Sequence, residues 1–141
     1  RRPTERARLM GHTAAVRGLA FAPDGRTLAS TGGGQQDLTV RLWDVQSGTE
    51  RTRLTGHARA VNAVGWLPDQ RSVVTVSDDG SARVWQTEVR ASDSAPLDPD
   101  RAVRVLAAAV CERQRTLVTA DAGGGVRVWA LDRLFDGRRN R

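Results

Sequence analysis

The sequence VRLW at residues 40–43 returns as ARVW at residues 82–85 and as VRVW at residues 126–129. The three tryptophans that end these segments are 42 and 44 residues apart. Each segment places an arginine between apolar or β-branched neighbours, a pattern that favours a β-strand. Because a period of about 20 to 50 residues indicates a repeat architecture, the segments predict three copies of one β-structured unit.

Two further markers keep the same register. A Gly-His pair at residues 11–12 recurs at residues 56–57, 45 residues later. A 12-residue interval also separates the first two apolar strand positions of every unit: Val16 and Leu28, Val61 and Val73, Val105 and Leu117. Three independent markers therefore give one register, and we expect the three units to share one fold.

Each unit is expected to form four short strands. The first strands are predicted at residues 15–21, 60–66 and 104–110, the second around Leu28, Val73 and Leu117, and the third at the tryptophan segments. Fourth strands are predicted at residues 50–54, near residues 95–97 and at residues 131–135. The first two units carry Pro-Asp-Gly and Pro-Asp-Gln at residues 23–25 and 68–70, which are typical of hairpin turns.

These units resemble the WD repeat, a blade of four strands that carries a Gly-His and a Trp-Asp signature. The first unit has both signatures, whereas Gln86 follows the second tryptophan and Ala130 the third, and residues 100–101 are Asp-Arg where Gly-His belongs. The resemblance implies an all-β fold, namely a partial β-propeller of three four-stranded antiparallel blades in an incomplete ring. The blades would span about 10–54, 55–98 and 99–135, with an outer strand of a preceding blade within residues 1–9, at residues 6–9, and a basic tail at 136–141.

In this family a histidine, a hydroxyl residue, an aspartate and the tryptophan often form a hydrogen-bonded tetrad that fastens the strands of a blade. Matched residue by residue, the tetrads are His12, Ser30, Asp37 and Trp43 in the first unit and His57, Thr75, Asp79 and Trp85 in the second. In the third unit only Thr119 and Trp129 remain, and Gly123 stands at the aspartate position. We therefore expect the third blade to be the loosest, because its hydroxyl and indole groups lose their usual partners.

The first unit has three more residues between its hydroxyl and its aspartate than the second unit has. This places an insertion within residues 32–36, Gly-Gly-Gly-Gln-Gln, where we expect an exposed turn. The glycine runs at 32–34 and 123–125 do not match a phosphate-binding loop, since they lack the spacing and the lysine of the known motifs. Hairpin turns are the favoured interpretation of both runs.

The tetrad residues, the histidines and the cysteine also raise catalysis and metal binding as alternatives. A histidine, a hydroxyl and an aspartate in one unit could act as a hydrolase triad, but the set recurs in two units, as a fastening network must and an active site need not. The chain has two histidines and one cysteine, Cys111, too few for a zinc site of usual composition. We expect no enzyme activity, no metal and no cofactor, and a buried Cys111.

The formal charge of +6 and the pI of about 11.3 raise nucleic acid as an alternative partner. All 22 basic residues are arginines, and they are scattered rather than clustered on one segment. Arg41, Arg83 and Arg127 each lie two residues before a tryptophan, which favours structural arginines with packed stems and heads that reach water. A nucleic-acid-binding surface remains the alternative to a protein partner.

Partners of propellers in this family often bind the narrow end, around the central channel, which we call the rim face. Matched residue by residue, the resemblance implies nine exposed rim positions: Ala15, Arg17, Gln36, Ala60, Asn62, Asp78, Arg104, Leu106 and Ala122. The resemblance implies a non-enzymatic scaffold or sensor that binds a protein or peptide, as part of a larger bacterial multidomain signalling or effector protein. We expect a cytoplasmic location and no membrane segment.

Three blades do not close a ring, since propellers usually have four to eight blades. Each outer blade is therefore expected to expose one apolar flank. The missing blades are expected to come from the same chain or from a second copy, for instance two copies that make six blades.

Overall fold

The computed structural model describes residues 2–88, 94–96 and 104–131. This part of the chain forms three antiparallel sheets, which confirms an all-β fold of repeated sheets. The first sheet comprises β1 (Val16–Phe21), β2 (Thr27–Gly32), β3 (Val40–Asp44) and β4 (Thr49–Leu54). The second comprises β5 (Val61–Trp66), β6 (Ser72–Ser77), β7 (Ala82–Gln86) and β8 (Ser94–Pro96), and the third β9 (Val105–Cys111), β10 (Thr116–Asp121) and β11 (Val126–Ala130).

Side-chain hydrogen bonds shape the first hairpin of the first two sheets. The Asp24 carboxylate accepts from the amides of Arg26 and Thr27 at 2.8 and 3.3 Å, and Asp69 holds the equivalent turn of the second sheet in the same way. The turns require a left-handed residue, which is Gly25 in the first sheet and Gln70, with a φ of 59°, in the second. The Pro-Asp turns predicted from the sequence thus set the pairing of the strands.

The sheets stack in chain order, with the second sheet in the middle. Strands β1 and β2 contact β5, and β5 and β6 contact β9. One core lies between the first two sheets and includes Leu42 and Trp66, and another lies between the last two and includes Val74 and Leu117. The Trp66 indole also donates a hydrogen bond to the Ala20 carbonyl across the first junction, at 3.0 Å.

The outer face of each terminal sheet exposes apolar side chains. Leu19 and Phe21 of β1 are 65% and 58% exposed, and Val126 and Val128 of β11 are 69% and 70% exposed. Strand pairing places Phe21 opposite Leu28, as Trp66 lies opposite Val73, although Trp66 is buried against the first sheet. The described chain therefore has two open flanks whose residues would be core residues in a longer stack.

One strand prediction differs from the structure, and another is not tested by the described residues. Residues 6–9 form no strand, because a strand needs a neighbour to pair with and the described residues contain no third strand of a preceding sheet. The third sheet has three strands in the described residues, which do not test the prediction of a fourth. Residues 132–135 of the predicted fourth strand, the tail at 136–141 and the pair at 100–101 lie outside the described residues.

Two exposure predictions are wrong. In the insertion at 32–36, Gly32 and Gly33 are buried, because the Gly33 amide donates to the Ala15 carbonyl at 2.7 Å and a bridge joins Gly34 to Asp37. The insertion therefore folds back onto its own sheet, and only its two glutamines are exposed. Cys111 is exposed rather than buried, since it ends β9 at the turn into β10.

Candidate functional site

The structure brings all four predicted tetrad residues of the first sheet together. His12 Nδ1 lies 2.6 Å from Asp37 Oδ2, and His12 Nε2 lies 2.7 Å from Ser30 Oγ. The Trp43 indole Nε1 donates to the same Ser30 Oγ at 2.7 Å. A ring with its proton on Nδ1 satisfies every one of these groups, since the serine then donates to Nε2 and accepts from the indole. The tetrad thus ties the segment before β1 to β2, β3 and the turn between them.

The second sheet repeats this geometry with threonine in place of serine. His57 Nδ1 lies 2.8 Å from Asp79 Oδ2, and His57 Nε2 lies 2.7 Å from Thr75 Oγ1. The Trp85 indole Nε1 donates to Thr75 Oγ1 at 2.7 Å. The two tetrads agree within 0.2 Å in each of these distances, so the equal spacings in the sequence correspond to equal positions in the sheets.

The tetrad aspartates are held as carboxylates by the hydrogen bonds they accept. Burial of Asp37 raises the pKa of its carboxyl, but hydrogen bonds from Thr39, His12 and the Thr13 amide outweigh burial and hold that pKa well below its usual range. Asp79 has the same balance, with His57 and Ser81 as the main donors, and its pKa is also far below the usual value. Both aspartates therefore stay ionised at neutral pH.

The tetrad hydroxyls are sealed inside the sheets. Ser30 is 2% exposed and Thr75 is fully buried, and each hydroxyl oxygen already contacts an indole and an imidazole. A nucleophile must reach the reacting carbon of a substrate. The geometry of both sets therefore suits strand fastening, and it offers no approach for a substrate to either oxygen.

The third sheet keeps more of its hydrogen bonding than the sequence predicted. The Trp129 indole still donates to Thr119 Oγ1, at 2.9 Å, so these two groups have not lost every partner. Asp121, which the sequence analysis missed, ends β10 and accepts from the amides of Gly123 and Gly125 at 3.0 and 2.9 Å. A Cβ atom on Gly125 would overlap the Asp121 carboxylate, which explains the glycine there. An acid directly before the Ala-Gly-Gly-Gly turn was the sequence feature that could have revealed it.

Arg41 departs from the prediction that its head reaches water. The residue is 5% exposed, and its Nη1 donates to Glu50 Oε2 of the neighbouring strand β4 at 2.7 Å. Burial raises the pKa of Glu50, but contacts from Arg53 and Arg41 outweigh it and lower that pKa. The head is buried because β4 supplies an anionic partner beside it. Arg83 and Arg127, the matching residues of the other sheets, are half-buried.

The charged rim positions form one hydrogen-bonded network across all three sheets. Arg17 Nη1 donates to Asn62 Oδ1 at 2.7 Å, and Asn62 Nδ2 donates to Asp78 Oδ1 at 2.7 Å and to a carbonyl of β9 at 2.9 Å. Arg104 donates two hydrogen bonds to Asp78, from Nε to Oδ1 at 3.0 Å and from Nη2 to Oδ2 at 3.1 Å. The sequence placed these four residues on the rim face, but it did not show that they bind one another.

The same contacts set the charge of Asp78. Burial raises the pKa of its carboxyl, but hydrogen bonds from Arg104 and Asn62 outweigh burial and lower that pKa. Asn62 and Asp78 are only half-buried and Ala60 is buried, so the prediction that all rim positions are exposed is wrong at these three. The remaining rim positions are exposed: Ala15, Arg17, Gln36, Arg104, Leu106 and Ala122.

Among residues 2–88 and 104–131, no three histidine, cysteine, aspartate or glutamate side chains form a group that could hold a metal ion. In the same part of the chain, no helix has the length and apolar character needed to cross a bilayer.

Comparison with known proteins identifies the repeats. The family model for the WD domain, G-beta repeat, matches residues 3–44 and 48–86, which together exceed half of the chain. The chain belongs to the WD-repeat family. The two matches fall on the first two sheets, which are accordingly WD-repeat blades, and the third sheet stacks on the second in chain order; we call the sheets blade 1 (β1–β4), blade 2 (β5–β8) and blade 3 (β9–β11). WD repeats generally mediate protein–protein interaction.

The chain is also similar to an uncharacterized WD repeat-containing protein of Synechocystis sp., with 52% identity over 40 residues. That segment is 28% of this chain and 11% of the relative. The chain therefore matches a small part of the relative's length. The similarity agrees with the family assignment and indicates no substrate or partner.

Proposed function

We propose that this WD-repeat chain is a non-enzymatic interaction module that binds a protein or peptide on its rim face. The observation that carries the proposal is the network of Arg17, Asn62, Asp78 and Arg104. It joins three blades across both junctions, so the side chains of the rim are held in fixed mutual positions. Fixed positions lower the entropy lost when a partner binds.

The wider setting of the module is also a proposal. The organism of the Synechocystis relative supports a bacterial protein. A cytoplasmic location and a place in a larger multidomain signalling or effector protein stay predictions from the sequence. A hydrolase is disfavoured by the burial of Ser30 and Thr75, and nucleic acid is the competing class of ligand because three exposed arginines, Arg17, Arg59 and Arg104, lie on or beside the rim face.

We expect dodecapeptides selected from a random displayed library against the purified chain to bind on the rim face. The Gln36→Trp and Ala15→Trp variants should each weaken binding at least about tenfold in fluorescence anisotropy, which is about 1.4 kcal/mol, because both side chains are exposed there. The matched control is Gln46→Trp, an exposed glutamine in the β3–β4 turn at the opposite end of blade 1, which should leave binding unchanged. Failure to select any binder, or equal losses in all three variants, would refute the rim-face function.

The two open flanks are the halves of one kind of junction. At the junction between blades 1 and 2, Leu42 of blade 1 lies in one core cluster with Val64 and Trp66 of blade 2. Strand pairing makes Val128 the equivalent of Leu42, and Phe21 the equivalent of Trp66. We propose that further blades, from the same chain or from a second copy, cover the apolar side chains of the two open flanks.

Light scattering tests whether a second copy of the chain covers the open flanks. We expect the molar mass to rise from 15.3 kDa toward twice that value as the concentration of the chain increases, since covering Phe21 and Val128 removes apolar surface from water. The Phe21→Asp variant should stay monomeric, whereas the control Gln46→Asp, away from both flanks, should associate like the wild type. A wild-type chain that stays monomeric at every concentration and unfolds cooperatively would show that the flanks need no cover.

A further inference from the structure

A cleft on the rim face separates blade 1 from blade 2, with a volume of about 550 Å³. Residues 33–35 and Leu38 of the β2–β3 turn line it from blade 1, and residues 58–60 line it from blade 2. Arg17 and Asp78 complete the lining. The cleft is thus built from the insertion that distinguishes blade 1 from blade 2, together with one end of the rim network.

Hydrogen bonds to backbone groups hold both walls of the cleft in place. The insertion is fastened by the Gly33 amide, which donates to the Ala15 carbonyl, and by the bridge from Gly34 to Asp37. On the other side, the Asp78 amide donates to the Ala60 carbonyl at 3.0 Å, and the one hydroxyl hydrogen of Ser77 is shared between the carbonyls of Arg59 and Ala60, at 3.1 and 2.9 Å. The walls therefore do not have to be ordered by a ligand, which favours binding.

The glycine at residue 33 makes room for the Arg17 side chain, which lies against it. A Cβ atom added to Gly33 would overlap the Cγ and Cδ atoms of the Arg17 stem. The glycine therefore lets the arginine lie along the insertion, with its Nη1 directed at Asn62. The position of the Arg17 guanidinium beside the cleft is set by the turn sequence and by the rim network together.

The electrostatic balance of the cleft is positive. The one acid in the lining, Asp78, already accepts two hydrogen bonds from Arg104 and one from Asn62, and its side chain is 14% exposed. The Arg17 side chain is 45% exposed, and its Nη1 lies 3.8 Å from Asp78 and donates to Asn62, so a guanidinium with five N–H donors has donors left for a ligand. The Arg59 side chain is exposed, and no hydrogen bond or ion pair joins its guanidinium to another described residue.

We infer that this cleft binds an acidic peptide segment of the partner protein, through carboxylates that pair with Arg17 and Arg59. The inference rests on the proposed rim-face function and gives the chemical class of the ligand. Planar guanidinium groups recognise carboxylates with paired hydrogen bonds, and Leu38 and Ala58 add apolar contact for a peptide. Single-stranded nucleic acid fits less well, because none of the residues that line the cleft is aromatic and bases need stacking partners.

The probe is a fluorescein-labelled octapeptide of alternating glutamate and alanine, titrated with the full chain by fluorescence anisotropy. We expect the version with glutamine in place of glutamate to bind at least about tenfold more weakly. The Arg59→Gln variant should weaken binding of the acidic peptide about fivefold, and Arg59→Glu by more than about tenfold. The matched controls are Arg26→Gln and Arg26→Glu, which change the net charge equally at an exposed arginine of the opposite end and should leave binding unchanged.

Three outcomes would overturn the inference. The first is no binding of the acidic peptide, and the second is an equal loss in the Arg26 and Arg59 variants, which would indicate attraction by net charge alone. The third is tighter binding of an oligothymidylate of equal charge with a steeper salt dependence, which would indicate a phosphate ligand. If only the inference about an acidic ligand is wrong, the library peptides should still bind, and Gln36→Trp should still weaken their binding. If the rim-face function is wrong, the library peptides should not bind on the rim face either.

Discussion

Replacing Thr75 by valine should lower the free energy of unfolding by about 2 to 4 kcal/mol. Valine has nearly the same shape as threonine but no hydroxyl, so the Trp85 indole N–H and the His57 Nε2 would both lose their partner. Each buried polar group left unsatisfied costs about 1 to 3 kcal/mol. Urea denaturation followed by tryptophan fluorescence and by circular dichroism measures the change.

Two further variants show whether the hydroxyl itself is responsible. Thr75→Ser keeps the oxygen and loses one methyl group, so it should cost about 1 kcal/mol, and Ser30 shows that serine can fill this position. Thr119→Val in blade 3 removes the acceptor of one indole, that of the half-buried Trp129, and should cost about 1 kcal/mol. A Thr75→Val protein as stable as Thr75→Ser would show that the tetrad adds nothing beyond packing.

Trp66→Ala should lower the free energy of unfolding by about 3 to 5 kcal/mol, the usual cost of truncating a large buried aromatic residue. Trp66 is 7% exposed, packs with Leu42 of blade 1 and donates to the Ala20 carbonyl. Its removal therefore weakens the junction between two blades rather than the interior of one. If Trp66→Ala proves too unstable to fold, Trp66→Phe, which keeps an aromatic ring but loses the donor, should cost about 1 kcal/mol.

Phe21→Ala is the matched control, because Phe21 has the same position in β1 that Trp66 has in β5. Phe21 is 58% exposed on the open flank of blade 1, so at concentrations where the chain is monomeric its loss should cost about 0.5 kcal/mol. Equal losses in the two variants under those conditions would contradict the stacking order of the blades.

Sequence reasoning was strongest for contacts within one blade. His12 is 18 residues from Ser30, His57 is 18 residues from Thr75, and the structure joins both pairs at 2.7 Å. Equal spacing gives equal contacts here because hairpins of equal length return the chain to the same place in each sheet. Contacts of side chains with more than one partner in reach were not predicted. Arg41 forms an ion pair with Glu50, and Asp121 accepts hydrogen bonds from the amides of the turn that follows it.

The candidate site was only partly accessible to such reasoning. The rim positions were chosen by matching, and six of the nine are exposed as expected. That Arg17 and Asn62 bind each other was not predicted, because they lie 45 residues apart in different units and no spacing rule links one unit to the next. Nor did the sequence show that the glycine insertion would fold back to form a wall of a cleft.

The sequence alone revealed the repeat and the register of the strands within each blade, and its resemblance to the WD repeat indicated the residues of the two complete tetrads. It could do so because alternation and turn residues act over a few neighbouring positions, and the repeat shows them more than once. Which apolar side chains are covered, which rim charges neutralise one another and where a cleft opens became visible only in the folded chain. Those features depend on how whole sheets stack, and stacking brings together residues from separate blades, such as Ala20 with Trp66 and Asp78 with Arg104.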